Sequence, residues 1–305
     1  MQQNEGYVTA DDGARVYFRR LGSGSATIVV PNGIYWVDDC VRLTGGRTLL
    51  VYDLRNRGRS ESIADPEKLA RGIHHDVADL DAVRRHFSLD RMQLLGHSYI
   101  GLMVMLYAMK HPAHVDRVVQ IGASPPDAGV QYPPQLANAD ATLDGFLAKF
   151  AELQRNRASL DPIEFCRRFW AILRVIYVAD PADAVRINWG RCELANERAF
   201  MKQWIEYVLP SIQQLRITAA DFAAATMPVL AVHGTKDRSA PYGGGRDWAM
   251  RLPNARLVTV EGAAHAPWIE APTLVIDAIE AFLGGAWPPD AERITELERD
   301  AHREL

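Results

Sequence analysis

The sequence has few cysteines and no long hydrophobic run. Cys40, Cys166 and Cys192 are its only cysteines, and they lie far apart and are odd in number. A disulfide framework or a zinc site needs a tighter cysteine pattern, so we expect three thiols in or near the core. No segment approaches the roughly 18 apolar residues of a membrane span. Because the first residues are polar and acidic, unlike a signal peptide, we predict a cytoplasmic protein without membrane contact.

An excess of positive charge is also missing. The chain carries 34 Lys and Arg against 38 Asp and Glu, which gives a formal net charge of −4. Without a basic stripe we expect no nucleic-acid partner. His74 and His75 are adjacent, point in different directions on a helix and have no partner at ligand spacing. We therefore expect neither a metal nor a cofactor. A homodimer is one of the assemblies compatible with the sequence.

Short β-rich runs alternate with helical patterns, as in a doubly wound, mostly parallel α/β sheet. The patterns predict strands 14–20, 26–31, 48–53, 91–96, 115–121, 229–233 and 256–260, and helices 36–44, 74–87, 99–110, 244–252 and 272–283. Residues 125–226 are helical and aromatic without a β-rich run, so we predict a helical cap (lid) inserted into a core of residues 1–124 and 227–286. Residues 287–305 form a charged tail with helical potential and no assigned function.

A serine lies where the predicted strand 91–96 turns into the predicted helix 99–110. The segment reads Gly96-His97-Ser98-Tyr99-Ile100-Gly101 and is typical of a nucleophile elbow, a strained turn that exposes the serine hydroxyl at a helix N-terminus. The usual motif has a small residue two positions after the serine, where this chain has Ile100. We predict that Gly101 supplies the close approach and that Ser98 keeps the strained backbone.

An acid and a base follow the serine later in the chain. Asp237 follows the strand after the cap, and His265 follows the last strand. With these residues the chain resembles the α/β-hydrolase fold family over almost its whole length. The resemblance implies that Ser98 attacks, His265 moves the proton and Asp237 orients the imidazole. Some family members carry the acid after the strand before the cap, which here is Asp127.

The resemblance also implies an oxyanion hole made of backbone N–H groups. One belongs to Tyr99, the residue after the nucleophile, and the other to the loop after an early strand, where we assign it to Ile34. Tyr35 and Trp36, beside that loop, are predicted to contact the substrate. His97 is interpreted as a packing residue or as a residue that supports the catalytic groups without taking part in the reaction. In the cap, Trp189, Trp204 or Tyr207 are candidates for an apolar pocket.

Glu193 and Glu197 stand four residues apart in the cap and are predicted to share one face of a helix. One interpretation is a solvated acidic face paired with Arg191 or Arg198. The other follows from some resemblance to proline iminopeptidases, whose cap glutamates hold the free amine of the substrate, although the oxyanion loop and the elbow differ from theirs.

Three functions remain open from the sequence. The first is a cofactor-independent serine hydrolase acting on a small ester or amide, a carboxylesterase by preference. The second is an aminopeptidase similar to proline iminopeptidase. The third is a ligand-binding protein with a vestigial triad, which Ile100 favours.

Overall fold

The computed structural model describes residues 4–35, 37–137 and 140–297. Nine strands in these residues form one sheet in the order β1-β2-β4-β3-β5-β6-β7-β8-β9. The strands are β1 Asn4–Thr9, β2 Arg15–Gly22, β3 Ala26–Pro31, β4 Arg47–Tyr52, β5 Met92–His97, β6 Val115–Ile121, β7 Val229–Gly234, β8 Ala255–Val260 and β9 Ala291–Glu292. All pairings from β4 through β8 are parallel, whereas β1, β2 and β9 are antiparallel to their neighbours. The predicted α/β fold with a mostly parallel sheet is confirmed.

Helices cover both faces of the sheet or lie in the long connection between β6 and β7. They are α1 Val37–Cys40, α2 Ile73–His86, α3 Tyr99–Lys110, α4 Pro134–Ala137, α5 Ala141–Arg155, α6 Pro162–Ile176, α7 Ala195–Gln203, α8 Leu209–Gln213, α9 Ala219–Ala224, α10 Tyr242–Arg251, α11 Pro267–Glu270 and α12 Pro272–Leu283. A π-helical turn, Trp204–Val208, joins α7 to α8. Within the described ranges, no helix has the length and apolar character needed to cross a bilayer.

The central strands are buried on both faces. All residues of β5 and β7 are buried, as expected for parallel strands that helices cover on each side. One apolar cluster includes Leu95 and Phe282 from β5 and α12, and a second includes Leu94 and Met103 from β5 and α3. Adjacent residues of β5 thus pack into apolar clusters on opposite faces of the sheet. This packing holds β5 and the turn that follows it in place.

Two parts of the chain differ from the sequence prediction at the sheet edges. The strand β1 was not predicted. The tail was given helical potential, but its described part, residues 287–297, contains no helix and contributes β9, which pairs with Val258 of β8. Two-residue strands carry too short a pattern to stand out in a sequence, so the pairing with β8 determines this element.

The expectation of three free thiols is wrong for two of the cysteines. Cys166 on α6 and Cys192 before α7 form a disulfide with their Cα atoms 5.8 Å apart, whereas Cys40 is free and buried. Their 26-residue separation gives no signal in the sequence, because only the folding of residues 125–226 brings the two segments together. Disulfides are rare in the reducing cytosol, so this pair counts against the expectation of a cytoplasmic location.

Candidate active site

Ser98 lies on a sharp turn between β5 and α3. Its backbone has φ 58° and ψ −127°, a combination that residues with a side chain seldom adopt. The residue is half-buried and lines a cavity of about 460 Å³. The predicted strained turn is therefore present. It holds the serine at the N-terminus of α3, where the helix dipole favours negative charge.

Glycines on both sides of Ser98 allow this turn. A Cβ atom on Gly96 would lie 2.6 Å from the carbonyl oxygen of Ile100, and one on Gly101 would lie 2.7 Å from Cβ of Ala123. The predicted close approach at Gly101 is confirmed. The side chain of Ile100 is 5% exposed, packs in the cluster of α3 and contributes to the cavity wall. The β-branched residue therefore fits without removing the elbow.

Asp237 and His265 meet at the carboxyl edge of β7 and β8. Oδ2 of Asp237 lies 2.7 Å from Nδ1 of His265, and both side chains are 0% exposed. Nδ1 must donate, since the carboxylate accepts, so Nε2 carries the lone pair. Among the described residues Nε2 has no hydrogen-bond partner although it is buried. This arrangement can accept a proton at Nε2.

The environment of Asp237 keeps it ionised. Burial opposes the charge, but the attraction of His265 and hydrogen bonds from His233 and His265 outweigh burial and hold the pKa of Asp237 well below its usual range. The backbone N–H groups of Ser239 and Ala240 each donate to Oδ1 at 2.8 Å. A fixed carboxylate can therefore stabilise an imidazolium at His265.

Three ring side chains surround His265 and Asp237. The position of His97 agrees with its interpretation as a packing or supporting residue, whereas the contacts of His233 and Tyr177 were not predicted. Nε2 of His97 donates to the carbonyl oxygen of His265 at 2.9 Å, and burial lowers the pKa of His97 well below its ordinary value. Nε2 of His233 lies 3.1 Å from Oδ2 of Asp237. The ring of Tyr177 packs 4.6 Å from that of His265. The contacts of His97 and Tyr177 with His265 depend on segments distant in sequence, so no local motif could identify them. His233 and Asp237 lie four residues apart, and the turn after β7 brings them together.

The two predicted oxyanion donors lie at the carboxyl ends of neighbouring strands. Ile34 is in a 3₁₀ turn, Gly33–Tyr35, that follows β3, and Tyr99 is the first residue of α3, which follows β5. The first N–H groups of a helix have no acceptor within it. Gly33 is required in this loop because a Cβ there would lie 2.5 Å from Cβ of Val51. Trp36 lies outside the described residues.

The cavity lies between the strand ends and residues 125–226. Its aromatic walls include Phe150, Phe169, Trp170, Tyr177, Trp189 and Trp204. Tyr35 contributes to the wall from the core side, whereas Tyr207 is not among the lining residues. Arg57 and Asp76 are lining residues that the sequence analysis did not single out. An apolar cavity with a few polar groups is the usual form of a small-molecule site.

The predicted shared helix face of Glu193 and Glu197 is wrong. Glu193 precedes α7, is exposed and pairs with Arg191 at 2.9 Å. Glu197 is 2% exposed, and its Oε1 accepts from Nε of Arg57 at 3.2 Å and from the N–H of Gly58 at 2.9 Å. The Tyr35 hydroxyl donates to Oε2 at 2.5 Å, so both oxygens of Glu197 are engaged. Neither glutamate is a cavity-lining residue. The substrate amine site assigned to this pair is therefore withdrawn.

The alternative acid Asp127 is engaged elsewhere. Its carboxylate pairs with Arg251 on α10. The described structure thus gives the imidazole of His265 one carboxylate partner, Asp237.

A model of the α/β-hydrolase fold matches residues 30–272. The chain belongs to the α/β-hydrolase fold family. This α/β-hydrolase is similar to a non-heme haloperoxidase of Rhodococcus erythropolis, with 27% identity over 85% of the chain and 92% of the relative. It is also similar to a pimeloyl-acyl-carrier-protein methyl ester esterase of Aromatoleum aromaticum, with 29% identity over 64% of the chain and 75% of the relative.

Solved structures agree on the fold. An esterase from Exiguobacterium antarcticum superposes with a TM-score of 0.70 at 17% identity, over 92% of this α/β-hydrolase and 99% of the esterase. At this identity the likeness concerns the architecture alone. Hydrolase activity follows from the family.

Proposed function

We propose that this α/β-hydrolase cleaves a small carboxylic ester through an acyl-enzyme formed on Ser98. The observation that carries the proposal is the imidazole of His265. Its Nδ1 is 2.7 Å from a buried carboxylate, and its Nε2 has no partner among the described residues. Such a base, combined with a serine on a strained turn that lines a cavity, is the arrangement that nucleophilic acyl transfer needs.

The reaction has two halves. Oγ of Ser98 attacks the ester carbonyl while its proton passes to Nε2 of His265, and the N–H groups of Ile34 and Tyr99 stabilise the oxyanion. When the intermediate collapses, the C–O bond to the alcohol breaks and His265 protonates the leaving oxygen. Water then loses a proton to His265 and attacks the acyl carbonyl. The carboxylic acid leaves, and the proton returns to Oγ of Ser98.

Esters are preferred over amides for two reasons. One similar protein is a methyl ester esterase by name. The saturated Glu197 also removes the observation that motivated aminopeptidase activity. In this proposal residues 125–226 act as the cap, and Tyr35 contacts the substrate with its ring while its hydroxyl is bound to Glu197.

A fluorophosphonate probe tests the nucleophile directly. We expect covalent labelling of the wild type and its loss in Ser98→Ala, with ester hydrolysis reduced by about 1,000-fold or more. Ser124→Ala is the matched control, because Ser124 lines the same cavity but is not on the elbow, and it should still be labelled. Absence of labelling in folded wild type would favour a ligand-binding protein. Labelling that persists in Ser98→Ala would place the nucleophile elsewhere.

A further inference from the structure

The largely apolar cavity contains one carboxylic acid. Asp76 on α2 is the sole acidic side chain among the described residues that line it, and the residue is 4% exposed. Its Oδ2 accepts a hydrogen bond from the hydroxyl of Tyr99. In the described part of the chain no hydrogen bond reaches its second oxygen, Oδ1. A buried carboxylate normally accepts several hydrogen bonds, so Oδ1 retains the capacity to bind a donor.

A second unused acceptor lines the same cavity. Nε2 of Gln203 donates to the carbonyl oxygen of Arg55 at 3.2 Å, while its Oε1 is buried and has no partner among the described residues. The next residue, Trp204, packs edge-on against the ring of Tyr99 with 5.3 Å between centroids. Asp76, Tyr99, Gln203 and Trp204 all line the one cavity, and Tyr99 contacts both Asp76 and Trp204.

Around Asp76 the carboxylate groups outnumber the guanidinium groups. Arg55 is shared by two carboxylates, at 2.6 Å from Asp79 and 2.5 Å from Asp12. Nε of Arg57 lies 3.2 Å from Glu197. Arg238, which also lines the cavity, pairs with Asp140 at 2.8 Å. Four carboxylates therefore already face three guanidinium groups before Asp76 is counted. When Asp76 ionises, it has no cation of its own.

We propose that Asp76 and Gln203 form a subsite for a primary ammonium group on an arm of the ester substrate. The ammonium group has three N–H donors and no acceptor, which matches two unused acceptors in a region of excess negative charge. The rings of Trp204 and Tyr99 provide aromatic faces that also attract cations. This inference rests on the proposed ester hydrolysis and names the substrate class.

The protonation of Asp76 is consistent with such a partner. Burial, with repulsion from Asp79, outweighs the hydrogen bond from Tyr99 and the attraction of Arg55 and Arg57, and it raises the pKa of Asp76 to about 7. A bound cation would stabilise the ionised form. The opposite chemistry would use Arg57, whose Nη2 is buried without a partner in the described structure and could receive an anionic group.

Binding of small probes to the Ser98→Ala protein distinguishes an ammonium site at Asp76 from an anion site at Arg57 and does not require turnover. The probes are hexylammonium, hexanol and hexanoate, which share one chain and differ in the head group, and calorimetry at about pH 8 gives each Kd. We expect hexylammonium to bind about tenfold more tightly than hexanol and hexanoate to bind most weakly. Tighter binding of hexanoate would overturn the proposal and favour an anion at Arg57. Equal binding of the ammonium and the alcohol would also overturn it.

Substitutions locate the effect. Asp76→Asn, combined with Ser98→Ala, keeps the shape but removes the charge, and it should abolish the preference for hexylammonium over hexanol. Asp11→Asn removes the same charge from a side chain that is 77% exposed and should retain the preference. If Asp76→Asn gives a folded protein by circular dichroism with an unchanged preference, the subsite is not at Asp76. If Asp76→Asn does not fold, Gln203→Leu provides the second test and should weaken the ammonium preference.

This test and that of the proposed function can fail separately. Head-group preference is measured with the serine removed, whereas labelling by fluorophosphonate reports on Ser98 alone. An active esterase without ammonium preference would leave the hydrolase proposal intact and reject the subsite.

Discussion

The hydroxyl of Tyr35 donates a 2.5 Å hydrogen bond to Oε2 of Glu197. This bond connects the turn after β3, which carries the predicted oxyanion donor Ile34, to the first turn of α7 in residues 125–226. Arg57 and Gly58 bind the other oxygen of Glu197 from the loop after β4. One buried carboxylate therefore fixes the position of α7 over the strand ends. This position sets the distance between the strand ends and the residues of α7 that line the cavity.

We therefore expect replacement of Glu197 to lower the free energy of unfolding. Glu197→Gln leaves Arg57 buried without its counter-charge, and we expect a loss of about 3 kcal/mol in the free energy of unfolding. Urea denaturation measures this value. Glu193→Gln is the control, because Glu193 is exposed, and it should change stability by less than about 0.5 kcal/mol. Equal effects of the two substitutions would contradict the role assigned to Glu197.

A substitution at Gly101 tests the close approach beside the elbow. Gly101→Ala places a methyl group 2.7 Å from Cβ of Ala123. We expect a destabilisation of about 1–3 kcal/mol, with a lower kcat because the N-terminus of α3 must shift. Thermal unfolding and ester hydrolysis provide the two readouts.

The control for this substitution is a second helical glycine. Gly145 lies within α5, and an added Cβ meets no atom within 4 Å. Gly145→Ala should stabilise the protein by up to about 1 kcal/mol, since alanine has the higher helix propensity. If Gly101→Ala behaves like Gly145→Ala, the packing between α3 and Ala123 is looser than described.

Asp76 predicts a specific pH dependence of stability. Its pKa is about 7 in the folded protein against an ordinary value of 3.8. The folded state therefore binds the proton more tightly, so the contribution to stability is complete below about pH 4 and is lost as the pH rises to about 7. Over this window the wild type should lose up to about 1.4 kcal/mol per pH unit more than Asp76→Asn.

Urea denaturation of both proteins at several pH values measures the difference in slope. The neighbouring groups Tyr99, Asp79, Arg55 and Arg57 are present in both proteins, so their contributions largely cancel. Parallel stability curves between about pH 4 and pH 7 would show that Asp76 titrates normally.

The disulfide predicts sensitivity to reductant. Cys166 and Cys192 close a loop of 26 residues, and opening such a loop costs about 3 kcal/mol of stability in the chain-entropy model. Reductant should lower the unfolding midpoint of the wild type. It should have no further effect on the Cys166→Ser, Cys192→Ser double variant. Thiol titration of the unreduced, denatured wild type should find a single thiol, that of Cys40, and three thiols would contradict the bond.

The sequence by itself predicted the strands β2 to β8 and the order in which strands and helices follow one another along the chain. Short segments dominated by apolar residues identified β5 and β7, whose residues are all buried, as expected for strands covered on both faces. The turn at Ser98 was also predictable, because a serine placed on a tight turn between a strand and a helix needs nearby glycines to let the backbones approach. Asp237 and His265 were assigned from the resemblance to the α/β-hydrolase family, which places its acid after the strand that follows the cap and its base after the last strand. Local pattern and chain order suffice for features of this kind.

Only the tertiary structure decided which polar groups meet. Glu197 looked like a free acid on a helix face, yet Tyr35 and Arg57 saturate it. Cys166 and Cys192 showed no pairing signal, and Asp76 was one of several acids on an amphipathic helix. These outcomes depend on contacts between residues far apart in the chain. The free energy of a buried charge is set by its neighbours in space, which the sequence does not specify locally.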